Sequence, residues 1–282
     1  MKKDNYPKHM VEVTTTNLIR EQDRGKLPVL DVRNLGIDFG GLTAVDGFNM
    51  TIGPTEISGL IGPNGAGKTT IFNLLTSVYQ PTRGSILING IDTKGMTTAK
   101  VNRLGVARTF QNIRLFTDMS ALDNVKVGMH NSIKCGFISS LLRLPRYYKA
   151  EKVANKKAME LLEFMGLADI ADVKAGSLPY GVQRRLEIAR ALATNPSIIL
   201  LDEPAAGMNP TETEELMHQI RRIRDTFQIA IFLIEHDMNL VMNVCEGIVV
   251  VNYGRIIAKG TPEQIKNDPA VIEAYLGKKE AE

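Results

Sequence analysis

The chain has no apolar run near the length of a membrane span. Its apolar runs are short, such as Ile229-Ala230-Ile231-Phe232-Leu233-Ile234, where a spanning helix needs about 20 residues. The N-terminus is polar and lacks the apolar core of a secretion signal, so membrane association is expected only through partners. Cysteine is scarce. Cys135 and Cys245 lie far apart and without metal-ligand spacing, which argues against a disulfide scaffold or a zinc module and fits a reduced cytosolic setting. Charge of one sign is also lacking: the net charge of +3 is too small to argue for nucleic acid, though compatible with resting near an anionic membrane surface. Internal repeats, low-complexity runs and heptad blocks are absent. What remains is ordinary for a globular protein: 282 residues, 44% hydrophobic and 23% charged, enough for one large domain or two subdomains.

Residues 1–28 are polar without periodicity and read as an extension, disordered or loosely attached. From there the pattern is strand-rich over 29–39, 48–52, 56–61 and 85–89, punctuated by Gly40-Gly41, Gly53, Gly84 and Gly90. Between about 112 and 192 the segments are helical with no strong strand. The clearest spans 151–165, with Val153, Ala158, Leu161, Leu162 and Met165 on one side and Gly166 as its stop. Strand-like runs return at 197–201, 229–234, 248–251 and 255–258, separated by helices at about 211–226 and 238–245. The alternation predicts an α/β sheet with helices on both faces. Its core would combine 29–111 with 193–282, and 112–192 would be an inserted helical subdomain.

The strongest motif is Gly62-Pro63-Asn64-Gly65-Ala66-Gly67-Lys68-Thr69-Thr70, which fits the phosphate-loop pattern. It follows the apolar Ile57-Ser58-Gly59-Leu60-Ile61 and precedes Ile71, Leu74, Leu75 and Val78 at helical spacing. Bare backbone N–H groups and a helix N-terminus can then cradle phosphate oxygens. Lys68 is expected on the β/γ-phosphates and the Thr69 hydroxyl on Mg²⁺. In Ile198-Ile199-Leu200-Leu201-Asp202-Glu203 an apolar strand ends in two carboxylates. Asp202 is the expected second anchor of Mg²⁺, and Glu203 the group that polarises the attacking water. His236 ends another strand and is placed to contact the γ-phosphate. Gln111, where the strand-rich part gives way to the helical part, has an amide oxygen able to reach Mg²⁺ and the water. The segment from Leu178 through Pro179, Tyr180, Gly181, Val182 and Gln183 opens a helix, a second anion site that a second subunit would use.

Together these stations resemble the ATP-binding cassette (ABC) ATPases: Walker A at 62–69, Q-loop Gln111, signature 178–183, Walker B 198–203 and switch His236. The resemblance implies a phosphate-loop NTPase fold with a RecA-like core, an antiparallel β subdomain and an inserted α-helical subdomain. Phe39 falls where that family stacks an aromatic on adenine, with Val45 also on the nucleotide. Within the family the chain is most similar to the ATP-binding subunits of branched-chain amino acid importers, the LivG type. Phe39-Gly40-Gly41-Leu42-Thr43-Ala44-Val45, Arg184-Arg185-Leu186-Glu187-Ile188-Ala189-Arg190 and the segment 267–277 carry that likeness. It implies ATP and Mg²⁺ as cofactors, hydrolysis coupled to transport, and a place on the cytoplasmic face of the membrane. Implied partners are a second cassette (this chain again or a LivF type), two permease subunits and, through them, an extracytoplasmic amino-acid-binding protein. Cassettes for urea import or lipopolysaccharide export are the alternatives, and a soluble ABC ATPase is a more distant one. Two departures stand out. Pro179, Tyr180 and Val182 replace the serine, first glycine and glutamine of the usual signature L-S-G-G-Q, so restoring Ser-Gly at 179 and 180 is expected to raise turnover. Asn209 stands where Asp is usual, and it also suits a helix N-cap before Pro210.

Overall fold

The computed structural model describes residues 20–131 and 145–276. Two sheets organise them. β1 (Leu30–Phe39), β2 (Leu42–Ile52), β4 (Arg83–Ile88) and β5 (Ile91–Asp92) form an antiparallel sheet in the order β2-β1-β4-β5. The second has six strands in the order β10-β9-β3-β8-β7-β6. In it β3 (Ile57–Ile61), β6 (Val106–Arg108), β7 (Ile198–Asp202), β8 (Ala230–Ile234) and β9 (Gly247–Asn252) run parallel, and β10 (Arg255–Gly260) closes one edge antiparallel to β9.

The period-2 alternation of a strand sends its side chains to opposite faces. Ile57, Ile61, Ile199, Leu201, Ile231 and Leu233 enter one core cluster. Leu60, Leu200, Phe232, Ile234 and Val251 enter another. The second cluster holds Phe72 and Leu75 of α1 (Lys68–Leu75) and the inner residues Val32, Phe48 and Ile86 of the antiparallel sheet. The first holds Leu216 and Ile220 of α6 (Pro210–Phe227) and Leu240 and Val241 of α7 (Met238–Val244). The parallel sheet is therefore the middle layer, apolar on both faces, which is why its strands read as continuous hydrophobic runs. The expected α/β architecture with an antiparallel subdomain is what forms.

The insert is built on α3 (Ala121–Gly128), α4 (Pro145–Phe164) and α5 (Tyr180–Leu192). Its Val125, Ala158, Leu162 and Leu186 share the first cluster with the sheet. Gly166 stops α4 with φ 68°, as expected for a C′ glycine. α8 (Pro262–Lys266) and α9 (Pro269–Leu276) end the described chain.

Several local expectations need correction. α1 is eight residues long and stops before Val78, which is exposed. β2 starts at Leu42 rather than 48, and α4 starts at Pro145 rather than 151. β6 and α2 (Thr98–Arg103) were not expected and are too short to leave a periodic signal. The extension does not reach residue 28, because its described part is folded onto the turn before β3. The buried Asp23 carboxylate accepts from the Thr55 N–H at 2.9 Å and the Thr55 hydroxyl at 3.1 Å. Arg20 donates to the Thr55 carbonyl at 2.6 Å. The remaining residues, 1–19, lie outside the described residues, as does Cys135.

Candidate ATP site

The loop between β3 and α1 is clamped by backbone from two directions. A Cβ on Gly62, at φ 153°, would sit 2.1 Å from the Val251 carbonyl oxygen of β9. A Cβ on Gly67, at φ 100°, would sit 2.9 Å from the Ala44 oxygen of β2. Only glycine fits such approaches. Inside the loop the Lys68 ammonium donates to the carbonyls of Gly62 at 2.7 Å and Pro63 at 2.9 Å. Burial pulls its pKa below the ordinary lysine value, and the nearby Glu203 and Asp202 carboxylates oppose that shift. Asn64, Gly65, Ala66, Gly67, Lys68, Thr69 and Thr70 line a cavity of about 540 Å³, together with Glu203 and His236.

Three strand ends converge beside it. β7 finishes at Asp202, and Glu203 turns into a left-handed conformation at φ 47°, held by its N–H to the Ile234 carbonyl at 2.9 Å. Its carboxylate is gripped on both oxygens: Gln111 Nε2 donates to Oε2 at 2.6 Å, and His236 Nε2 is hydrogen-bonded to Oε1 at 2.6 Å. Glu203 thus joins Gln111, 92 positions before it, and His236, 33 positions after it, in one cluster. Because the Gln111 amide nitrogen faces Glu203, the amide oxygen is the atom left for a cation. Thr69, Asp202 and Gln111 together offer hydroxyl, carboxylate and amide oxygen, the hard donors that suit Mg²⁺.

Two participants were not anticipated. Arg108, at the end of β6, pairs with Asp202 at 2.7 Å, and both side chains are 6% exposed. Glu235, also buried, receives the Ala205 N–H at 2.7 Å and the His236 N–H at 2.9 Å, tying the segment after β7 to the switch histidine. Burial raises its carboxyl pKa, and those backbone donors work against the rise. The only sequence signal for either was a charged residue at the carboxyl end of an apolar strand.

Phe39 ends β1 and is 42% exposed. Its ring stands edge-on to Tyr79 with centroids 5.2 Å apart, and it is not among the residues lining the cavity. Its register partner Leu42 is, as is the largely exposed Tyr253 in the β9–β10 turn. Val45 is buried and packs behind Gly67.

The signature segment is not brought to this chain's own loop. Pro179 caps α5 without a side-chain bond, and Leu178 is buried. Gln183 donates to the Leu178 carbonyl at 2.7 Å, and Val182 packs against the core. Gly181 faces Glu212, whose carboxylate closes a capping box with Asn209 at the start of α6. Asn209 therefore acts as a helix cap. Tyr180 covers Gly207, and its hydroxyl accepts from Arg184 Nη2 at 3.1 Å. Arg184 is wholly buried. It donates to the carbonyls of Phe110 and Gln111, each at 2.6 Å, and to Glu187 at 2.9 Å. A chain of contacts thus runs from the signature helix through Arg184 to the Gln111 backbone and on to Glu203.

Comparison with known proteins identifies the family. The family model described as ABC transporter matches residues 45–206, and that described as branched-chain amino acid ATP-binding cassette transporter matches 255–281. The Escherichia coli K12 high-affinity branched-chain amino acid transport ATP-binding protein LivG is 50% identical over 250 residues, covering 89% of this chain and 98% of that protein. The Pseudomonas aeruginosa counterpart BraF is 48% identical over the same coverage. A nucleotide-free ATP-binding cassette of an ABC transporter superposes with a TM-score of 0.77 at 32% identity, covering 89% of this chain and all of that one. Another cassette, in its ADP conformation, gives 0.78 at 30% identity, covering 90% of this chain and all of that one. The chain belongs to the ABC transporter family, as one of its ATP-binding, ATP-hydrolysing cassettes.

Proposed function

We propose that this cassette powers the import of branched-chain amino acids through separate permease subunits. The observation that carries the substrate class is the match of residues 255–281 to the branched-chain amino acid cassette model. ATP lies along the 62–70 loop, with phosphate oxygens taken by the loop N–H groups and by Lys68, which turns from its two carbonyls to the β/γ-phosphates. Mg²⁺ would be held by Thr69, Asp202 and the Gln111 amide oxygen, and it supplies charge neutralisation on the phosphate oxygens. Glu203 orients and deprotonates the attacking water, and His236 fixes the carboxylate and reaches the γ-phosphate. The signature at 178–183, facing away from this chain's own loop, closes over the nucleotide of a second cassette, this chain again or a LivF-type subunit.

Closure of the two cassettes drives the permeases between their two access states, with an extracytoplasmic amino-acid-binding protein delivering substrate. The cassette sits on the cytoplasmic face of the membrane. No helix among the described residues is long and apolar enough to cross it. The +3 net charge supports no role on nucleic acid. Reconstitution of the whole complex in liposomes tests the assignment: ATP-dependent leucine, isoleucine or valine uptake supports it, and uptake of urea with none of these refutes it.

A further inference from the structure

The magnesium-side carboxylate has a resident cation. Among the described residues, Arg108 is the ion-pair partner of Asp202, with Nη2 2.7 Å from Oδ2. Its guanidinium is fixed from several sides. Nη1 donates to Asn73 Oδ1 at 2.8 Å and lies 3.4 Å from the Thr76 hydroxyl, two residues one turn apart at the end of α1. Phe72 and Phe110 stand 5.5 Å and 5.0 Å from Cζ. The fork therefore ties the helix after the phosphate loop to the end of β7, three residues before Gln111. The Nε–H is buried and has no partner, so the side chain's orientation serves Asp202 and α1 at the expense of one donor. A fold needing only a filled space here would not bury an arginine with an unmet N–H.

Building on the magnesium-side role given to Asp202 above, we propose that Arg108 is a positioning residue that serves as the counter-ion of Asp202 and sets the Mg²⁺ affinity of the site. Without nucleotide it compensates a buried carboxylate for which the Lys68 ammonium, shared with Glu203, is only a partial counter-charge. With nucleotide, its fixed positive charge lies close to where Mg²⁺ is held and repels it across a partly buried, weakly screened distance. The empty site is thereby kept intact, and the cation is bound less tightly than the bare carboxylate would hold it. Release of Mg-ADP is eased by the same repulsion.

The two effects have opposite signs in one variant, which separates them from a purely structural role. Mg²⁺ affinity is read by titrating the metal against a fluorescent ATP analogue on the full chain, and stability by thermal melting in EDTA without nucleotide. Arg108→Met is expected to bind Mg²⁺ about tenfold more tightly while melting at least about 5 °C lower. Arg108→Lys keeps the charge and loses the fork, so it melts lower with Mg²⁺ affinity within about twofold of the parent. If Arg108→Met does not fold, Asn73→Ala, which loosens the guanidinium, is expected to tighten Mg²⁺ about threefold. Asp202→Asn is the control and should weaken Mg²⁺ at least tenfold. Unchanged or weaker Mg²⁺ binding in the Arg108 variant (or in Asn73→Ala), with the control behaving as expected, overturns the proposal. An Asp202→Asn protein with parental Mg²⁺ affinity refutes instead the metal role of Asp202, and the proposal with it.

Discussion

Arg184→Met perturbs a link between the signature helix and the catalytic cluster. The guanidinium is completely buried, and its loss takes the ion-pair partner from a Glu187 carboxylate that is itself 2% exposed, leaving it the Arg114 N–H at 3.2 Å. The same loss strands the carbonyls of Phe110 and Gln111. Breaking a buried ion pair from one side costs about 3–5 kcal/mol. At about 2–4 °C per kcal/mol for a chain of this size, the melting temperature should fall by roughly 10 °C. Burial already pushes the Glu187 carboxyl pKa up, and Arg184 is the main influence holding it down. Without Arg184 it rises further, so the carboxylate's penalty is felt above that pKa and relieved by protonation below it. The deficit should therefore be larger at pH 8 than at pH 5. Adding Glu187→Gln should return part of the loss, because the stranded charge is gone. Differential scanning calorimetry of parent, both singles and the double at the two pH values measures this. A single variant within 2 °C of the parent, or strictly additive singles, would refute the reasoning.

Other outcomes follow from the same geometry. Gly62→Ala places a methyl 2.1 Å from the Val251 oxygen, so it should abolish measurable ATP binding and lower the melting temperature; parental affinity by calorimetric titration contradicts it. Burial raises the Glu56 carboxyl pKa against the hydrogen bonds from Ser58 and Gly53. Its contribution to stability is thus lost as pH rises through the folded-state pKa. Glu56→Gln does not titrate, so its melting temperature relative to the parent should climb from pH 5 to pH 8, and a decline would count against this. Pro179→Ser alone should raise turnover of composite sites that use this signature, since it restores an N–H and a hydroxyl. Adding Tyr180→Gly should cancel the gain, because the Tyr180 hydroxyl bonds Arg184. A double variant faster than the single in steady-state hydrolysis would show that this bond has no bearing on turnover.

That last expectation shows where the sequence was and was not legible. Pro179 and Tyr180 read as departures from the usual signature because a motif comparison registers only what is replaced. The bond from Tyr180 to Arg184, and from there to the Gln111 carbonyl at a separation of 73, exists only in three dimensions. The phosphate loop was legible because its strand, glycines, lysine and helix are contiguous. The carboxylates after β7 were legible because an apolar run ending in two adjacent acids marks a buried strand whose carboxyl end opens onto a polar site. The pairing of Arg108 with Asp202 spans 94 positions and left no pattern. Phe39 meets Tyr79, 40 positions away in the chain and 5.2 Å away in space, a contact that no local pattern announces. The apolar strands themselves were plain, but which side chain faces which layer followed only once β3, β7, β8 and β9 lay side by side.

The central claim is that Glu203, gripped by Gln111 and His236, activates the water that attacks ATP bound on the 62–70 loop. Glu203→Gln keeps the size and the hydrogen-bonding reach of the side chain and removes the base. Measured side by side on the purified chain, Mg-ATP affinity should stay near parental, steady-state hydrolysis should fall by at least about 100-fold, and ATP-bound dimers should accumulate. Hydrolysis within about twofold of the parent would contradict the account.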